Sequence, residues 1–161
     1  MTPTPVPQPS IEPIVQALLS KDWGAIQPLL QERPEPCITT PRIGLEGPVC
    51  PAGVSAGTPV PVFPAAGCHW FMTAPELEGQ FSARGDLRIY AIYRASAEHP
   101  RISRLPAGDI GIILERGNLG GQIFAISGVK IVSADFGCGI PAREVAAQVP
   151  SSRFLVAPPP P

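Results

Sequence analysis

Along this chain the spacing of apolar positions shifts from a helical to an alternating period, and that shift divides it into two halves. Ile11, Ile14, Val15, Leu18 and Leu19 recur at i, i+3, i+4, i+7 and i+8, which is one face of a helix. Ser10 stands as its N-cap, with Glu12 and Pro13 in the first turn. Asp22 caps a second helix running from Trp23 toward Glu32, with Ile26, Leu29 and Leu30 on its apolar side. Pro28 lies inside that pattern, lacks an N–H and crowds the preceding turn, so this helix is short, kinked or broken. The two form a helical hairpin packed by Trp23. Thr73 caps a third helix from Ala74 to about Ala83, where Pro75 sits in the first turn, Glu76 completes a capping box and Leu77 and Phe81 point inward.

After Gly85-Asp86 the period drops to two. Residues 87–94 read as a strand with Leu87, Ile89, Ala91 and Tyr93 on one face and Arg88, Tyr90, Ile92 and Arg94 on the other. A polar crossover covers 95–108. The stretch DIGIILERGNLGGQIFAISGVKIVSADFGC then reads as three antiparallel strands, at 110–115, 121–127 and 129–136. Ser127-Gly128 suits a tight hairpin because glycine reaches positive φ freely. Gly117-Asn-Leu-Gly-Gly121 supplies the other connection; it opens no helix and is no phosphate loop.

Between the halves, 33–67 is dominated by proline and glycine, which excludes ordinary helix. Thr58 to Pro64 is extended, as an edge strand or loop, since its prolines cannot serve a central strand. Residues 140–148 predict one last helical turn or two, and Phe154-Leu-Val156 docks on the body or adds an edge strand. The fold class is therefore α+β, a curved antiparallel sheet with its helices on one face. Residues 1–9 form a Pro-rich tether, 10–156 a single domain and 157–161 a Pro-rich tail.

Composition narrows the function classes. The chain has 161 residues, 44 % apolar and 16 % charged, which suits one globular domain with a real core. The net charge is −1 and no Lys/Arg cluster occurs, so a nucleic-acid footprint is missing. No apolar run approaches the roughly 20 residues that span a bilayer. MTPTPVPQPS is not a signal peptide, having no charged segment followed by an apolar one. Two readings stay open for it: a tether left after a signal or lipoprotein leader and its lipid anchor were removed, or a native flexible tail.

Cys37, Cys50, Cys68 and Cys138 allow three pairings if all are bridged, and four free thiols are the alternative. The favoured pairing is 37–50 plus 68–138. The first closes a ring of about 14 residues around a Pro/Gly-rich loop, a stabilisation of roughly 3 kcal/mol on the chain-entropy model. Disulfides imply an oxidising compartment, hence an extracellular or cell-envelope location. With no CxxC and two histidines, no metal site is expected, and no cofactor fingerprint appears.

The opening IEPIVQALLSKDWGAIQPLL and the closing GQIFAISGVKIVSADFG together resemble the NTF2-like, SnoaL-like (cystatin-like) cone folds. That resemblance implies a sheet wrapping a helical layer. It also implies an Asp, Tyr or Arg in the mouth of the cone, here Asp135 with Arg88 or Tyr90. The Pro/Gly-rich insert at 33–67 departs from the pattern. Cys50-Pro-Ala-Gly53 and Gly57-Thr-Pro-Val60 are similar to a segment of exported, Pro-rich bacterial proteins, a similarity that implies no activity.

Asp135 is expected on a strand face with Val129, Ile131 and Ser133, where burial would raise its pKa; the plainer reading puts it at the strand end, solvated or hydrogen-bonded to the next loop. Arg88 and Arg94 alternate with Tyr90 and Ile92, either lining an anion-tolerant pocket or standing on an exposed face. His69 is expected at the surface and Trp70 in the core, with a pocket role as the alternative. His99 is expected to face solvent. The leading expectation is a non-catalytic, exported domain binding a small apolar ligand or a protein partner, in a pocket lined by Trp70, Tyr90, Arg88 and Asp135 between helices and sheet. A homodimer through an outer face carrying Ile113, Phe124, Ile126 and Val132 accompanies it. The alternatives are a small-molecule enzyme of the SnoaL or epoxide-hydrolase type, and a structural envelope protein.

Overall fold

The computed structural model describes residues 10–40, 47–67, 71–83, 85–102, 104–117 and 120–161. Helix α1 spans Glu12–Ser20 and buries Ile14, Val15, Ala17 and Leu18, the stripe its periodicity demands. Its N-cap is Ile11, one position later than the expected Ser10, and has no side-chain cap; Ser10 Oγ still accepts from the Glu12 N–H at 3.3 Å. Asp22 caps α2, Trp23–Ile26, by accepting from the Gly24 N–H at 2.9 Å. At Pro28 the helix gives way to a 3-10 turn, Gln27–Leu29, so the break comes where proline removes the donor. Helix α3, Ala74–Phe81, carries the full Thr73/Glu76 capping box.

Among the described residues eight strands form two sheets. Strands β1 (Arg33–Pro36) and β2 (Pro59–Val62) form an antiparallel ribbon of their own. The larger sheet has the order β3-β7-β6-β5-β4-β8, with β3 at Ala65–Ala66, β4 at Leu87–Arg94, β5 at Ile110–Arg116, β6 at Gly121–Ser127, β7 at Lys130–Asp135 and β8 at Phe154–Val156. The β4–β5–β6–β7 pairs are all antiparallel, as the consecutive hairpins require. The sheet as a whole is mixed, not antiparallel throughout: β3 pairs parallel with β7, and Leu30 bridges parallel to Ile131. Ile112, Ile123 and Ile131 are fully buried.

Two bulges redistribute the strand faces. The register shifts between Ile89 and Ala91, so Leu87, Ile89 and Ile92 pack beneath α1–α3 while Ala91 and Tyr93 turn to the other side. Strict alternation had grouped Ala91 and Tyr93 with Leu87. A second shift, opposite Ala125 and Ile126, places Ile131 on the helix side and Ser133 and Asp135 on the far side. Asp135 and Ile131 therefore do not share a face.

The far side is also covered. Helix α4, Ala142–Ala146, packs Ala142 and Val145 against Ile113 and Ile123, so helices lie on both faces. The surface assigned to a homodimer is thus occupied within the chain: Ile113 lies beneath α4, and Phe124 and Ile126 belong to the core under α1–α3. That core closes around Phe81, Phe124 and Phe136, whose ring centroids are 5.4–5.7 Å apart.

Candidate functional site: an apolar cleft and a buried carboxylate

The space between helices and sheet is filled by the phenylalanine core, and the concavity lies beside it. Where α2 ends, Pro28 turns the chain so that Leu30 leaves helical geometry and the Gln31 N–H reaches the Ile131 carbonyl at 2.9 Å. This brings Trp23, Gln27, Leu30 and Glu32 into one wall. The second wall is the β2 ribbon with Pro61, Val62 and the following Phe63, joined by Pro48 and Val49. The third is Phe71, Met72, Thr73 and Leu77 at the start of α3, held where the Met72 N–H meets the Ala65 carbonyl at 3.1 Å. Together they enclose a cleft of about 600 Å³. Trp23 is steadied from behind by Phe81, centroid to centroid 5.8 Å.

The Cys37–Cys50 disulfide directly follows Pro48 and Val49, two of the lining residues. Beside it the Ile38 N–H donates to the Pro48 carbonyl and the Cys50 N–H to the Ile38 carbonyl, both at 2.8 Å. Pro48 and Val49 are thereby fixed although Val49 is 52 % exposed. Cys138 is disulfide-bonded too. Cys68, its expected partner, lies outside the described residues, as do His69 and Trp70, so the pocket role foreseen for Trp70 falls outside them as well.

Asp135 sits elsewhere, on the far face of the sheet, and is fully buried. Its Oδ1 accepts from the Gly137 N–H at 3.0 Å, and its Oδ2 lies 3.3 Å from Arg101 Nε. The hydrogen bond to the following loop agrees with the plainer expectation; solvation does not. Burial raises the Asp135 pKa, and Arg101 and the Gly137 N–H pull the other way. Tyr93 is its second neighbour. Gly111 makes that approach feasible, because a Cβ there would come within 2.0 Å of Tyr93 Cζ. Burial first, then the Asp135 charge, raise the phenol pKa.

His99 is 4 % exposed, not solvent-facing as expected. Its Nδ1 accepts from the Arg101 and Ile102 N–H groups at 3.3 and 3.1 Å, which fixes the ring as the anchor of the crossover. Burial, helped by the Arg101 charge, lowers its pKa to about 4. Asp135 Oδ2, Arg101 Nη1 and His99 Nε2 have no hydrogen-bond partner among the described residues.

The two groups foreseen beside Asp135 stand apart from it. Arg88 is on β4, three strand spacings or roughly 14 Å across the sheet. It is exposed and its Nε donates to Glu115 Oε2 at 2.6 Å. Tyr90, at the β4 bulge, packs partly buried toward α4. Sequence reasoning missed Arg101 and Tyr93 as the partners of Asp135, and missed every described wall of the cleft. Trp23, at the first turn of a helix that Pro28 must break, was the one available signal for the latter.

Among the described residues no group of three His, Cys, Asp or Glu side chains is placed to hold a metal ion, and no helix is long and apolar enough to cross a membrane. No protein-family model, curated protein or solved structure matches the chain.

Proposed function

We propose that this chain is a non-catalytic binding domain of an oxidising compartment, extracellular or in the cell envelope, and that its cleft takes a small apolar ligand. The observation that carries the reading is the cleft itself. Its volume of about 600 Å³ falls in the range of small-molecule sites. Trp23, Leu30, Val62 and Met72 leave apolar surface half-exposed on its walls. A disulfide and a capped helix hold two of those walls in place, so little ordering cost attends binding. The location rests on the Cys37–Cys50 bridge. The resemblance to NTF2-like folds belongs to the same reading, with the ligand site moved from the cone to its side.

Asp135 argues against the catalytic alternative. Its side chain is fully buried, so a substrate would have to displace Arg101, which lies against it, to reach it.

Titration with the neutral dye Nile red tests the reading. Saturable one-to-one binding is expected. Val49→Trp, a change at an exposed rim position that fills the cleft, should abolish it while leaving thermal stability unchanged. Non-saturable binding, or binding indifferent to Val49→Trp, overturns the reading.

A further inference from the structure

The charge on the cleft walls is one-sided, and it selects among apolar ligands. Glu32 is the one charged side chain among the described residues that line it. Two guanidinium groups lie close by: Arg33 pairs with Glu35, and Arg104 lies over the ring of Phe71, itself a lining residue, at 5.8 Å. Neither lines the cleft. Thr73 is also committed, its hydroxyl donating to Glu76 Oε2 at 3.1 Å and accepting from the Glu76 N–H at 3.4 Å.

The ribbon adds to this asymmetry. In its register Arg33 faces Val62 and Glu35 faces Val60, while Pro34 faces Pro61 and Pro36 faces Pro59. Prolines cannot donate, so the hydrogen-bonded pairs must be Arg33/Val62 and Glu35/Val60. The Cys37 N–H donating to the Thr58 carbonyl at 3.0 Å continues the same phase. The four prolines then occupy the positions whose backbone groups point away from the ribbon. The free edge of β2, which brings Pro61 to the cleft, offers carbonyls and no N–H. An incoming strand finds no donors there, so the cleft is not a site of strand addition.

We propose that the ligand is an apolar molecule with a cationic head, an alkyl- or arylammonium in class, its apolar part against Trp23 and Leu30 and its head at Glu32. The proposal rests on the cleft being a binding site. A fatty acid or other carboxylate of equal length is disfavoured, because it would set its charge against Glu32 with no cation among the described lining residues. For an exposed pair near 4 Å the preference amounts to about fivefold in affinity.

The experiment compares octyltrimethylammonium, octanol and octanoate on the intact protein by calorimetry and Trp fluorescence, below their micelle concentrations. The ammonium should bind tightest and octanoate weakest. Glu32→Gln should abolish the difference between ammonium and octanol. Octanoate binding as tightly as the ammonium, or a cation preference that survives Glu32→Gln, overturns the proposal while keeping the cleft as a site. Failure of all three to bind, in a protein whose thermal melt is intact, overturns both.

Discussion

The two faces of the six-stranded sheet are buried to similar depth by different physics. Beneath α1–α3 the core is three phenylalanine rings set among isoleucine and leucine, with Gln122 and Arg116 buried at one end, where the Arg116 guanidinium donates to the Ala83 carbonyl beyond α3. Across the sheet, beneath the 95–108 crossover, the burial includes Asp135, Arg101, His99 and Tyr93. The first face is stabilised by area and fit, which hold at any pH. The second depends on partners and protonation, since a buried charge costs more than its pairing returns unless the geometry is complete. The difference separates a side weakened chiefly by making holes from one that can also be weakened by moving a proton.

The largest expected effect lies on the apolar face. Phe124→Ala removes the ring that touches both Phe81 and Phe136 and should cost about 4 kcal/mol in urea unfolding, with no dependence on pH. A pH-dependent loss would show that the two faces are coupled. Next is Arg101→Met on the polar face, which strands the Asp135 carboxylate and should cost about 3 kcal/mol at pH 7. The cost should narrow on acidification, because a protonated Asp135 needs no cation. A cost that is constant with pH would mean that Arg101 contributes by packing alone.

Much of the apolar face was legible because its cause is local. The i, i+3, i+4 stripe of α1, the Pro28 break and the Thr73/Glu76 box each act within a few residues, and each stands in the structure as the chain pattern requires. The polar face was not, because two bulges set it. An extra residue at Tyr90 or at Val132 leaves no mark in an alternating pattern, yet it reverses the facing of everything beyond it. Strand β1 was hidden for another reason. Arg33-Pro-Glu-Pro36 looks like a strand breaker until β2 is seen to carry its prolines at the facing positions. His99 and Arg101 lie in a stretch whose polarity suggests solvent; the contacts that tie it to the sheet are nonlocal, Arg101 to Asp135 and Ser133 Oγ donating to the Pro106 carbonyl at 2.6 Å. The cleft is assembled from four separate segments, and no one of them predicts it.

A smaller effect sharpens the contrast by pH alone. His99 has a folded pKa lowered to about 4, against 6.5 unfolded. Between those values the unfolded chain binds the extra proton, so the native state loses stability as pH falls from 6.5 toward 4. Asp135 has the opposite sign: its raised pKa gives a contribution that is full below 3.8 and is lost as pH rises through the folded value. His99→Asn keeps an acceptor near the Arg101 and Ile102 N–H groups but does not titrate. The wild type should lose about 2 kcal/mol more than this variant between pH 7 and pH 5. Parallel stability curves for the two proteins would place the His99 ring in water.

The smallest effect tests whether the cleft belongs to either face. Thr73→Ala removes the hydroxyl that accepts from the Glu76 N–H, and the loss of one cap should cost about 1 kcal/mol in chemical denaturation. Thr73 also lines the cleft. The Thr73 N–H still donates to Glu76 Oε2 at 2.8 Å, so the start of α3 stays in place and Nile red binding should weaken by less than the stability does. The loss should be the same at pH 5 and pH 7, because none of the buried titrating groups touches this wall. If the cap variant loses stability but keeps its ligand, the cleft is a rigid accessory of the apolar face, set by backbone bonds and the disulfide. If ligand binding falls in step with stability, the capped turn is the element that shapes the site, and the third wall is the one to redesign.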